Sequence, residues 1–97
     1  MATPQMPEPE LRASLLAIWQ EVLKTDELTP DDDFFEAGGH SLSAMTICAR
    51  AKRVLGTELE PGNFYTLPTV RAMSRELADR HTRAAAASES ESAVFEA

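Results

Sequence analysis

A small all-α bundle is the fold class this sequence predicts, on three observations. The chain has 97 residues, room for one domain and no more. Its mix of Leu, Ala, Glu and Arg with little Val or Ile favours helix over strand. Three stretches place apolar residues at helical spacing, with unpatterned segments between them. A domain this small buries a modest core, and a deep enzyme cleft is hard to build from it.

The first helix follows from Leu11, Leu15, Ile18, Trp19 and Val22, which form one apolar stripe over about four turns. Pro9 and Glu10 suit its first turn: the ring presets φ, and the carboxylate faces the positive helix end. The stripe ends near Lys24 and Thr25. Residues 1–8, rich in proline, read as a flexible arm. Residues 26–40 have no helical period and carry Asp26, Glu27, Asp31, Asp32, Asp33 and Glu36 without a Lys or Arg. A loop of that length points to function. Phe34 and Phe35 are both expected to pin it to the core, since aromatic surface is costly in water.

The second helix is expected from Ser41 to Leu55. Ala44, Ile47, Cys48, Ala51 and Leu55 make its core stripe. At about 100° per residue, Leu42, Met45 and Ala49 fall on a different side, a second apolar patch near the helix start. Arg50, Lys52 and Arg53 complement the dipole at its far end, and Gly56 ends it. Pro61, Gly62 and Asn63 mark a turn, with Phe64 and Tyr65 on one short helical turn after it. A last helix carries Val70, Met73 and Leu77 and is expected to end near His81. The domain is thus read as 9–82, with a disordered tail at 83–97. The sum is three main helices plus one short turn, which fits a small bundle.

The net charge of −7 argues against nucleic acid and makes basic protein surfaces the natural partners. The lone cysteine, Cys48, excludes an internal disulfide and fits a reducing compartment. No run is long and apolar enough to span a membrane, and residues 1–10 carry no signal segment. A cytoplasmic protein, monomeric and without a membrane partner, is the expectation.

Ser41 is the candidate for chemistry. It stands behind Gly38, Gly39 and His40 at a helix start, where backbone N–H groups lack intrahelical partners and the dipole is positive. A phosphate joined to its Oγ would meet a ready-made anion site. Gly38 and Gly39 can take φ > 0 and leave the hydroxyl unshielded. The residues alone leave a second reading open, in which Ser41 is an ordinary helix N-cap.

Other chemistries fare worse. Gly39-His40-Ser41-Leu42-Ser43 lacks the second glycine of a nucleophile elbow, and His40 is badly placed as a base for its neighbour. Asp31 and Asp33 match two positions of a calcium loop, but Phe35 and Glu36 break the rest. One Cys and two His cannot make a zinc site. Cys48 and Trp19 read as core. Leu42 and Met45 flank the serine and are candidates for partner contact. An unmodified interaction domain and a small acidic metal binder remain as other function classes.

The segment Asp33-Phe34-Phe35-Glu36-Ala37-Gly38-Gly39-His40-Ser41-Leu42 resembles the prosthetic-group motif of the peptidyl carrier (thiolation) domains of nonribosomal peptide synthetases. The likeness runs from about Leu11 to Leu77 and includes Pro68-Thr69-Val70. It implies a four-helix bundle of acyl-carrier type, with Phe64 and Tyr65 near a short third helix. It implies 4′-phosphopantetheine, moved from coenzyme A onto Ser41 by a phosphopantetheinyl transferase, with Gly38, Gly39 and His40 as the presenting turn. The arm would hold an aminoacyl or peptidyl thioester. The carrier itself would have no catalytic residue and no metal. Adenylation, condensation, thioesterase or tailoring enzymes would act on its cargo, docking at Leu42, Met45, Phe64 and Tyr65. His40 before the serine favours this type over an acyl carrier protein of polyketide or fatty-acid kind, where aspartate is usual.

Overall fold

Among the described residues, the computed structural model of the protein has four helices: α1 (Glu8–Leu23), α2 (Ser41–Leu55), α3 (Asn63–Thr66) and α4 (Val70–Glu96). It describes the backbone of residues 7–96 and the side chains of 7–83. Most of the expected N-terminal arm, residues 1–6, lies outside the described residues. No strand occurs among the described residues.

Each boundary has a local cause. Pro9 sits in the first turn of α1, with Glu8 and Glu10 at the positive end. Lys24 closes α1 in the left-handed conformation, φ 58°, and its N–H donates to Gln20 O. Gly56 closes α2 in the same way at φ 66°. Asn63 Oδ1 accepts from Glu60 N–H at 2.9 Å and sets the turn into α3.

α1 packs against both α2 and α4. The core holds Leu11, Leu15, Ile18 and Trp19 from α1 and Ala44, Ile47 and Ala51 from α2. Phe64, Val70, Met73 and Leu77 join it from α3 and α4, and Leu28, Phe34 and Leu59 from the connecting segments. Val22, Cys48 and Leu55, expected on the core stripes, pack at its edge and are half-buried. An aromatic cluster lies at its centre. Trp19 meets Phe34 edge-on at 5.2 Å between ring centroids, and Phe34 meets Phe64 at 4.5 Å.

The long loop between α1 and α2 is fastened at several points. Gln20 Nε2 donates to Leu28 O, and Leu28 is buried. Phe34 N–H donates to Pro68 O at 2.7 Å, and Arg71 N–H to Pro30 O at 2.9 Å. Arg71 also pairs with Asp31. The loop is therefore tied to the start of α4, and the serine at its end inherits that fixed geometry.

The structure departs from two expectations. Phe35 does not enter the core: it is 38 % exposed, while Phe34 is fully buried. Asp33 Oδ2 accepts from the N–H groups of both Phe35 and Glu36 and winds the chain into a turn. Adjacent side chains on such a turn diverge, so only one of the pair can face inward. The last helix does not end near His81 but continues through Glu96. Four consecutive alanines, the best helix formers, follow Arg83, which pairs with Asp79 one turn earlier.

Candidate functional site

The turn that delivers Ser41 is built on Phe34. Gly39 N–H donates to Phe34 O at 2.9 Å, and Gly38 N–H to Phe35 O at 3.2 Å. The two glycines are needed for different reasons. Gly38 has φ +100°, a conformation L side chains rarely adopt. Of the two glycines able to take φ > 0, Gly39 does not do so. Its constraint is space: a Cβ there would stand 2.4 Å from Phe34 Cζ.

His40, with φ −152° and ψ −178°, is the N-cap of α2, so Ser41 is the first helical residue. Ser43 supplies side-chain hydrogen bonds at this helix start, in a capping box with His40. Its Oγ accepts from His40 N–H and donates to His40 O, both at 2.8 Å. Ser43 is almost fully buried and Ser41 is exposed. Among the described residues, no hydrogen bond involves Ser41 Oγ. The reading of Ser41 as a helix N-cap is thereby removed: the cap position lies one residue earlier, at His40, and its capping partner is Ser43.

The first turn of α2 carries no acidic residue. A phosphodiester on Ser41 Oγ would therefore meet the positive helix end without a like charge from that turn. A Cβ at Gly38 would meet nothing within 4 Å, so the presenting turn is open at that residue. The residues present fit a phosphate-linked group.

Leu42 and Met45 are 68 % and 58 % exposed, as expected of a second apolar patch. Tyr65 is also exposed and stacks on Phe35 with ring centroids 4.9 Å apart. Phe64 must be removed from the contact residues. It is wholly buried against Trp19 and Phe34 and has no surface to offer. Phe35 and Ser43 were not singled out for the site by sequence. A helix start moved by one residue would have pointed to Ser43 through the spacing of a capping box.

Several carboxylates of the acidic loop are engaged by local partners. Asp31 pairs with Arg71, Asp32 accepts from Thr29 N–H, and Asp33 accepts from Phe35 and Glu36. Among the described residues, no group of three potential ligands could hold a metal ion. Burial pushes the Cys48 thiol above its ordinary pKa, the character of a packing residue. No helix among the described residues is long and apolar enough to cross a membrane.

Residues 13–77 match the family model described as a phosphopantetheine attachment site. The chain belongs to that family. Its prosthetic group is 4′-phosphopantetheine, and its fold is that of acyl and peptidyl carrier proteins. The chain is 41 % identical over 69 residues to tyrocidine synthase 3 of Brevibacillus parabrevis. That match covers 71 % of this chain and 1 % of the synthase. A solution structure of an active-site mutant peptidyl carrier protein is similar with a TM-score of 0.69 and 32 % identity. It covers 81 % of this chain and 88 % of that one. A peptidyl carrier protein solved with the phosphopantetheine transferase Sfp and coenzyme A gives a TM-score of 0.68 at 29 % identity. The likeness spans 81 % of this chain and 99 % of the other. The protein is a carrier domain of peptide-synthetase type, as the motif around Ser41 leads one to expect.

Proposed function

We propose that Ser41 is the attachment residue and that this domain carries an aminoacyl or peptidyl group between synthetase enzymes. One observation carries the assignment to Ser41. Its hydroxyl is exposed at the first position of α2 and makes no hydrogen bond among the described residues, while the neighbouring Ser43 hydroxyl is buried and both accepts and donates. Bound there, the arm supplies a thiol that holds the cargo as a thioester. The protein's own residues present the hydroxyl, place the phosphate at a helix end and offer a surface to partners. The domain performs no catalysis in this reading. Tethering works by raising the effective concentration of the cargo near each partner.

The partners proposed are a phosphopantetheinyl transferase and adenylation, condensation, thioesterase or tailoring enzymes. A peptidyl carrier solved with Sfp and coenzyme A supports the first. A structure of an adenylation and carrier protein, similar at 28 % identity, supports the second. Leu42, Met45 and Tyr65 are the proposed contact residues, with Phe35 added because it stacks on Tyr65. A cytoplasmic location and a monomeric state complete the proposal. Incubation with coenzyme A and a broad-specificity transferase tests it by intact mass. The wild-type protein should gain one phosphopantetheine and Ser41→Ala none. A gain retained by folded Ser41→Ala would contradict the assignment.

A further inference from the structure

We propose that Ser43 is a positioning residue for the modification of Ser41, an inference that rests on the reading of Ser41 as the attachment site. Ser43 fixes the register of the α2 start and so keeps the Ser41 hydroxyl free.

A helix start needs its unpaired N–H groups satisfied, and a serine is among the best residues for doing so. Three serine or histidine residues compete for that role here: His40, Ser41 and Ser43. If the helix began one residue later, Ser41 would become the N-cap. Its Oγ would then turn back to accept from N–H groups of the first turn, and the hydroxyl would be lost to an incoming phosphoryl group. The observed register avoids this. Ser43 Oγ grips both backbone polar groups of His40, each at 2.8 Å. That fixes His40 in an extended conformation as the N-cap and places Ser41 inside the helix.

The burial of Ser43 gives this grip its strength. Ser43 is one of only three buried polar residues among those described, at 6 % exposure. A buried hydroxyl with no partner would be costly, so Ser43 is held to His40. On the other side, Gly39 rests against the Phe34 ring and hydrogen-bonds to Phe34 O. The chain is anchored just before His40 and again just after Ser41, with the attachment residue exposed between the two anchors.

The test compares Ser43→Thr with Ser43→Val. The two side chains have nearly the same shape and crowd the buried site equally, but only threonine keeps the hydroxyl. Ser43→Ala adds a variant without crowding. Folding is followed by Trp19 emission and circular dichroism, and transfer from coenzyme A by steady-state kinetics. Ser43→Val and Ser43→Ala should lower kcat roughly fivefold to tenfold, the equilibrium weight of one helix cap. KM should stay near the wild-type value, because Leu42 and Met45 remain in place. Ser43→Thr should restore kcat relative to Ser43→Val. A purely structural role predicts normal kcat for every variant that remains folded. Equal kcat for folded Ser43→Ala and wild type, or equal loss in the threonine and valine variants, would overturn the proposal. Failure of the wild-type protein to take the group at Ser41 would overturn the reading beneath it as well, and that result shows before any Ser43 variant is measured.

Discussion

Gly39 lies against the Cζ end of the Phe34 ring, so close that a Cβ on the glycine would stand 2.4 Å from it. Phe34 is wholly buried between Trp19 and Phe64 and has nowhere to retreat. The chain that presents Ser41 is thus in direct register with the centre of the core.

Gly39→Ala should therefore destabilise the fold by about 1–3 kcal/mol, the usual cost of overpacking. Gly62 is the matched control, since a Cβ there would meet nothing within 4 Å. Gly62→Ala should stay within about 0.5 kcal/mol of wild type. Urea unfolding followed by Trp19 emission compares them, and equal midpoints for the two variants would contradict the contact.

The Phe34 and Phe35 pair should split sharply. Phe34→Ala empties the aromatic cluster and should cost about 3–5 kcal/mol, enough to abolish a cooperative transition in a marginal domain. Phe35→Ala removes a ring that is 38 % exposed and should cost far less. Its effect should instead appear in partner loading, because it supports Tyr65. Thermal melts and loading rates on the same samples separate the two effects.

The main helices were legible in the sequence because each keeps one apolar stripe at helical period. Leu11, Leu15, Ile18 and Trp19, or Val70, Met73 and Leu77, can hardly be arranged otherwise. What failed were questions a stripe does not answer. Two adjacent phenylalanines in an aperiodic loop look alike until the Asp33 turn separates them. Phe64 and Tyr65 pose the same problem within one turn of α3. Leu28 and Leu59 are buried from segments with no period to reveal them. The site itself was legible as a motif, but its capping chemistry was not. Moving the α2 cap from Ser41 to His40 transfers the hydrogen bonds to Ser43, and helix ends are the least certain feature of any sequence reading.

Met45→Asp should weaken transfer or aminoacyl loading while leaving helicity intact. Met45 is 58 % exposed and contributes little to the core, so a charge there disturbs docking rather than folding. Loading kinetics with several partners and circular dichroism check this. Unchanged kinetics with all of them would remove the residue from the contact surface.

Acid should loosen the clasp between α1 and α4. The Ser74 hydroxyl donates to Glu8 Oε2 at 2.7 Å, and Arg12 lies one turn along at 2.9 Å. The Ser74 hydrogen bond, with the Arg12 charge, holds the Glu8 carboxyl below its ordinary value of 4.5. A lowered folded-state pKa gives stability that is present above the unfolded value and lost as pH falls through the folded one. Wild type should therefore lose more stability than Glu8→Gln between neutral pH and the acid side of the carboxylate range. Urea midpoints across that range measure the difference, and parallel pH profiles would contradict it.

The most direct measurement is the position of the phosphopantetheine within the peptide that contains both Ser41 and Ser43. Tandem mass spectrometry of the modified wild-type protein should place the group on Ser41 alone. Its appearance on Ser43, or on any other residue in folded wild-type protein, would contradict the account of one hydroxyl presented and the other held in the helix start.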